Sequence, residues 1–306
     1  MFAIGLCVDQ RYLLASLVTL VSLAEATPGN DKATIAIRVV TTDLSRADVA
    51  ALGAAVRWLG FGSFEARWEI PAAHWRVVEG AYISSATYLR FHFDEAFLNR
   101  PYLVYLDSDT LVLGDIAAPL NVIAERQIGL VRDLFNHTVG HGPALPGVAQ
   151  RWPRFGGRTY FNAGAMWCHA GLLPRLRADV AAIMNRAGRH IFYNDQDALN
   201  LSVLRHDNAY PLGVEFNTFE TDRFRETGDW ILPIVRQRPL PTSPTLLHFV
   251  GRNKPWLDTC PTTPAVRLHR RYLARAARLL RATPSRRPPP LGAVLDGSVR
   301  ARFWRR

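Results

Sequence analysis

PYLVYLDSDTLVLGDI, residues 101–116, passes from an apolar run into two aspartates, Asp107 and Asp109, and back into apolar residues. The run ahead of the aspartates shows no alternation of polar and apolar side chains. That is the pattern of a strand covered on both faces, and so of a mostly parallel sheet flanked by helices. Such sheets hold ligands beyond the carboxyl ends of their strands, which is where the aspartates fall. In extended chain, positions i and i+2 project to the same side, so both carboxylates face one site. Two ionised carboxylates this close repel, and either a raised pKa on one or a cation between them relieves the repulsion. A divalent cation with spare coordination positions also bridges to phosphate oxygens.

The same logic holds on either side of this stretch. Residues 1–8 form an apolar, strand-capable run, 9–11 a polar turn, and 12–25 a helical pattern ending in Thr-Pro-Gly-Asn. A second buried strand is expected over Ala33–Thr41, giving a strand–helix–strand unit and an α/β fold class. Near the other end, PTLLHFVGRNKPW (244–256) places His248 after an apolar run, followed by Gly251 and Lys254. An imidazole suits manganese or iron-group metals better than magnesium or calcium. Gly251 permits close backbone approach to a ligand, and Lys254 brings a flexible cation to phosphate charge.

The chain of 306 residues, 48% hydrophobic and 21% charged, is sized for one principal domain and is too apolar for a disordered protein. Its net charge of +11 suggests a nucleic-acid binder until it is located. Residues 267–306 hold twelve arginines and one acid, Asp296, while the other 266 residues carry 25 basic and 25 acidic groups. A neutral body with a basic tail argues against a nucleic-acid groove and directs the tail alone to an anionic surface. The expected division is therefore a domain over 1–263 and a tail over 264–306. The tail comprises an arginine-rich amphipathic helix, a TPSRRPPP linker and the end VRARFWRR, suited to peripheral attachment to an anionic membrane. Cys7, Cys168 and Cys260 lack paired metal spacing and read as free thiols of a reducing compartment, so a cytoplasmic protein is expected. The apolar stretch 12–24 follows no basic segment and is too short to span a bilayer, so it reads as a helix and not a leader.

Five segments occur in a characteristic order: VDQRY (8–12), SSATYLRFHFDEAF (84–97), YLDSDTLVLGDI (105–116), YFNAGAMWCHAGLL (160–173) with YNDQDALN (193–200), and LLHFVGRNKPW (246–256). Together they resemble glycosyltransferase family 8, in particular the bacterial lipooligosaccharide galactosyltransferases, with glycogenins as more distant relatives. The resemblance covers about residues 1–260 and implies a GT-A type Rossmann-like fold. It implies retaining transfer of galactose or glucose from a UDP-sugar to a saccharide or glycolipid acceptor, in bacterial lipopolysaccharide or other surface-glycan synthesis. Mn²⁺ or another divalent cation would be held by Asp107, Asp109 and His248. Asp9 would accept from the uracil and Tyr12 would stack on it; Asp107, Ser108, Gly251 and Lys254 would meet the donor, and Arg90 its phosphate and sugar. Asp133, with Asn162 and Gly164 in a turn, would hold the sugar, and Asp195 and Gln196 would lie closest to the reacting carbon. Arg11 departs from the family's small polar residue, leaving a diphosphate contact or a solvent-facing side chain open. A self-glucosylating initiator and a non-catalytic nucleotide-sugar binder are the alternatives. Because the matched Gln196 is an amide and a poor nucleophile, a front-face route is preferred, with Asp195 as the fallback nucleophile. Residues 135–160, rich in Gly, Pro and aromatics, read as an acceptor-covering loop.

Overall fold

The computed structural model describes residues 1–70, 85–140, 143–187, 190–227 and 243–282. Its strands are β1 (Ala3–Cys7), β2 (Ala36–Thr41), β3 (Ser63–Trp68), β4 (Tyr102–Leu106), β5 (Thr110–Val112), β6 (Ile128–Arg132), β7 (Phe161–His169), β8 (Ala209–Leu212), β9 (Thr218–Phe219) and β10 (Leu246–His248). The helices are α1 (Leu13–Ala26), α2 (Arg46–Trp58), the short α3 (Glu95–Leu98) and α4 (Val148–Arg151), α5 (Leu173–Ala187), α6 (Asn194–His206), the short α7 (Asp222–Thr227) and α8 (Pro264–Ala282).

Seven strands form the main sheet in the order β3, β2, β1, β4, β7, β6, β8. β7 runs against both neighbours, and the other six share one direction. This is the mostly parallel mixed sheet, flanked by helices, that the unbroken apolar runs predict. β4 leaves the main sheet at Leu106, and the chain passes through Asp107–Asp109 into β5 of a small second sheet, ordered β5, β10, β9. That sheet is fastened to α1 by buried hydroxyls: Thr19 donates to the Thr110 carbonyl at 2.9 Å, and Ser22 accepts from the Val112 N–H at 3.0 Å.

Apolar clusters cover both faces of the main sheet. On one side α1, α2 and α8 contribute Leu17, Leu20, Leu52, Val56, Val266 and Leu279, all buried. On the other lie the 3₁₀ segment Ser85–His92, α5 and α6, with Tyr88, Phe91, Val180 and Leu199. The basic helix α8 packs on α1 and α2, so its apolar side belongs to the main core. Its outward stripe is Arg267, Arg271, Arg275 and Arg278, at the spacing of one helical face. Residues 283–306, the rest of the basic tail, lie outside the described residues. Cys7, Cys168 and Cys260 are free thiols. Among the described residues no helix is long and apolar enough to cross a membrane.

Two local readings change. Asn162 and Gly164 lie not in a turn but at the start of β7, paired with β6 on one side and β4 on the other. Pairing on both edges, with Phe161 and Ala163 buried, overrides the turn preference of Asn-Ala-Gly. The stretch 135–160 is not an open loop over its described part. A bridge between Thr138 and Thr159 closes it, and Val139, Leu145, Val148 and Phe155 are buried in the core of that side.

Candidate functional site

Strand polarity gathers the polar residues at one edge of the sheet. Asp9 follows β1, Asp107 follows β4, and Asp133 follows β6. Because β7 runs the other way, its beginning, Asn162–Gly164, meets the same edge, as does the first turn of α6 with Asp195 and Gln196. The second sheet then delivers His248, which pairs in register with Thr110, next to Asp109.

One corner is charged. Donor atoms of Asp107, Asp109 and His248 all lie within 4.8 Å of one another. His248 Nε2 is 3.3 Å from Asp109 Oδ1 and 3.9 Å from Asp107 Oδ2. Two carboxylates and an imidazole are a donor set for a borderline divalent cation such as manganese, so the residues fit the metal that the sequence implies. The carboxylate repulsion is, however, already met within the chain. The Lys254 ammonium donates to Asp109 Oδ2, and Arg90 Nη2 lies 3.2 Å from Asp107 Oδ1, which also accepts from the Tyr105 hydroxyl at 2.7 Å. Burial works against the charge of Asp109, but Lys254 and His248 outweigh it and hold its carboxyl far below the usual range. Lys254 thus touches Asp109 and the Phe249 carbonyl (3.0 Å).

Arg90, 3% exposed, is the hub of this corner. Its Nε lies 2.8 Å from Asp195 Oδ2, Nη1 donates to the Ala163 carbonyl, and the guanidinium sits 4.6 Å over the Tyr105 ring. Burial disfavours its charge, yet Asp195, Tyr105 and Asp107 hold the guanidinium above its ordinary pKa. Burial raises the Asp195 carboxyl, and Arg90 pulls it back. Three carboxylates, Asp107, Asp109 and Asp195, therefore face two cations, Arg90 and Lys254. The corner is net negative, and a divalent cation there would make it net positive.

The adjoining corner is built of amides around the carboxylate of Asp133. Asn162 Nδ2 donates to Gln196 Oε1 at 2.9 Å and to Asp133 Oδ2 at 3.2 Å. Gln196 Nε2 reaches Asp133 Oδ2 and the Tyr160 hydroxyl, each at 3.3 Å. Tyr160 donates to Asp197 Oδ1 at 2.5 Å, and Asp197 Oδ2 accepts the N–H groups of Phe192 and Tyr193. Burial pushes the Asp197 carboxyl up to about 6 against these bonds, and raises Asp133. Asp133 Oδ1 also accepts the Phe135 and Asn136 N–H groups, as in an Asx turn.

At the other flank, Asp9 is engaged by its own turn. Oδ1 accepts the N–H groups of Arg11 and Tyr12, and Oδ2 accepts Arg11 Nη2 at 2.8 Å. Arg11 therefore folds back on Asp9 while its side chain stays exposed, which is the solvent-facing placement of the two left open for it. The Tyr12 ring stands edge-on to Trp256 with centroids 5.6 Å apart. The Ser108 hydroxyl donates to the Cys7 carbonyl at 3.1 Å, tying the acidic turn to the end of β1. Gly251 has φ +86°, a conformation natural to glycine, in a loop whose Val250 and Asn253 carbonyls accept from the buried Arg223.

The structure thus brings Arg90, Asp107, Asp109, Asp133, Asn162, Gly164, Asp195, Gln196, His248 and Lys254 into one connected site, while Asp9 and Tyr12 form a wing beside Trp256. Asn217, 2% exposed, went unread in the sequence: its Oδ1 lies 3.0 Å from His248 Nδ1 and its Nδ2 donates to Asn162 Oδ1 at 2.8 Å. Its local context, VEFNTF, offers no signal beyond a polar residue entering a short strand. Tyr105 and Tyr160 were likewise legible only as core aromatics.

With this geometry in place, the chain was compared with known proteins. Residues 3–260 match the model of glycosyl transferase family 8. The lipopolysaccharide glucosyltransferase WaaO of Escherichia coli (strain K12) is 24% identical over 184 residues, or 56% of this chain and 49% of that relative. The chain thus spans about half the length of that curated relative. The crystal structure of galactosyltransferase LgtC with donor and acceptor sugar analogs aligns with a TM-score of 0.67 at 22% identity, covering 89% of this chain and 95% of that one. The apo glycosyltransferase GlyE of Streptococcus pneumoniae TIGR4 aligns with a TM-score of 0.64 at 17% identity, over 91% of this chain and 62% of that one. These structures have the same GT-A type fold, and the family match across residues 3–260 establishes that the chain belongs to glycosyltransferase family 8.

Proposed function

We propose that the protein transfers a hexose, galactosyl or glucosyl, from a UDP-sugar to a saccharide acceptor of a bacterial surface glycan, with retention at the anomeric carbon and with a divalent cation such as Mn²⁺. The observation that carries this is the convergence of Asp107, Asp109 and His248, with donor atoms within 4.8 Å of one another, beside Arg90 and Lys254. WaaO and LgtC, named for glucosyl and galactosyl transfer, lend support to the donor class.

When bound, the cation neutralises charge on the departing diphosphate, an effect of several kcal/mol. Lys254 and Arg90 add fixed positive charge around the same leaving group. Asp133, Asn162 and Gln196 offer neutral and anionic hydrogen-bonding groups to sugar hydroxyls. The Gln196 carbonyl accepts from Asn162 Nδ2 and the Ala163 N–H at 3.0 Å, which fixes the amide in one orientation. Asp195 is ion-paired to Arg90 at 2.8 Å, and a carboxylate so held is a weak nucleophile. That favours front-face transfer, in which the donor phosphate oxygen takes the acceptor proton, over a covalent intermediate on Asp195.

The arginine stripe of α8 supports attachment to an anionic membrane by charge, not by insertion, since its apolar side is already covered. Salt-sensitive sedimentation with phosphatidylglycerol vesicles checks this.

The deciding experiment is UDP release from a panel of UDP-sugars, with and without Mn²⁺, by the parent chain and by Asp109→Ala. Release requiring both metal and Asp109 supports the reading. No release with any donor, in the presence of mixed glycan acceptors, would sink it.

A further inference from the structure

The oxygen and nitrogen of a side-chain amide are nearly alike in size, so its orientation is read from its hydrogen-bond partners. Here backbone groups decide it. The Gly164 N–H donates to one end of the Asn162 amide at 2.8 Å, so that end is oxygen. Asn217 approaches the same oxygen at 2.8 Å, so it does so with its NH₂ group. Its carbonyl oxygen is then the atom 3.0 Å from His248 Nδ1, and that ring nitrogen must carry a proton. Nε2, on the opposite side of the ring, faces Asp109 and Asp107.

From this chain of donors and acceptors, and resting on the metal-dependent reading above, we infer that Asn217 is a positioning residue with two separable ends. Its carbonyl fixes the His248 ring and tautomer so that Nε2 serves a cation. Its NH₂ group fixes Asn162, whose own NH₂ then faces Asp133 and Gln196 Oε1. Metal corner and sugar corner are in this way held in one register by a single buried amide. Gly164 completes the arrangement, because a Cβ there would meet His248 Nδ1 at 2.7 Å and push the ring aside. Groups that orient a metal-bound histidine through its second nitrogen typically change metal affinity by about 10- to 100-fold when removed.

The two ends are tested with two substitutions. Binding of Mn²⁺ alone is read from the EPR signal of the free ion, kcat from UDP release, and fold integrity from circular dichroism and thermal unfolding. Asn217→Ala removes both ends and is expected to weaken Mn²⁺ binding about 10-fold or more and to lower kcat. Asn217→Asp keeps an oxygen for His248 Nδ1–H but cannot donate to Asn162. It is expected to bind Mn²⁺ as the parent does while losing kcat. A ¹⁵N–¹H correlation spectrum of the metal-free parent is expected to show His248 protonated at Nδ1. An Asn217→Ala protein that is folded and binds Mn²⁺ as tightly as the parent overturns the inference, as does a His248 protonated at Nε2 alone. If the parent itself binds no Mn²⁺, the metal-dependent reading falls, and the assignment of the carbonyl end falls with it.

Discussion

The charged corner around Asp107 and Asp109 and the amide corner around Asn162 and Gln196 touch, yet they are held together by opposite means. In the first, three carboxylates are held by two cations in a mostly buried space, with one negative charge left over. Such pairing contributes little net stability because each charge was better hydrated outside, but removing one partner is costly. In the second, amides and the buried carboxylate of Asp133 are joined by hydrogen bonds whose direction is fixed, so geometry is specified without a paired cation. The boundary between the two corners runs through Asn217 and Gly164.

The comparison can be broken first at its charged side. Asp109→Ala removes a donor of the proposed metal site and strands Lys254; UDP release is expected to fall about 10³-fold or more, or roughly 4 kcal/mol of barrier. Arg90→Met leaves Asp195 and Asp107 without their buried partner and is expected to cost about 3–5 kcal/mol of stability in urea unfolding. A loss under 1 kcal/mol would mean that the corner is hydrated, not sealed. On the amide side, Gln196→Ala is expected to lower kcat about 100-fold with a smaller stability change near 1–2 kcal/mol, the scale of lost neutral hydrogen bonds. Equal stability losses for Arg90→Met and Gln196→Ala would erase the distinction.

A gentler probe uses pH. His269 on α8 is buried against Phe249 and Trp256, and neither ring nitrogen has a hydrogen-bond partner among the described residues. Burial pushes its pKa down to about 3, against about 6.5 in an unfolded chain. Above pH 6.5 the ring is neutral in both states. As pH falls below that, the unfolded chain takes up a proton that the folded one refuses, and stability is lost down to about pH 3. The slope is about 1.4 kcal/mol per pH unit for one proton. His269→Leu is expected to remove that share, seen as a shallower fall in unfolding free energy between pH 6.5 and 4.

What was legible in the sequence follows the same division. The apolar runs of β1, β2 and β4 predict a parallel sheet because burial on both faces leaves a local pattern. Asp107, Asp109 and His248 stand out because a charged or imidazole side chain after such a run is locally anomalous. Asn217 is not anomalous. Its partners lie 31 and 55 residues away, and only the second sheet brings them together. Lys254 was legible as a cation at the site but not as the partner of Asp109, and Arg11 not as the partner of Asp9, because ion pairing depends on where a flexible side chain comes to rest. Asn162 misled as a turn residue for the complementary reason: local propensity yields to a strand paired along both edges.

The packing of α8 on α1 has a consequence for how the chain is made. α1 is apolar on nearly every side, and its covering partner is separated from it by residues 27–263. At translation rates of about 5–20 residues per second, roughly 10–50 s pass between the emergence of the two helices. For that time a nascent chain carries a greasy helix without its lid, the moment at which it is most exposed to self-association or in need of a chaperone. Versions shortened before residue 282 would keep that vulnerability permanently.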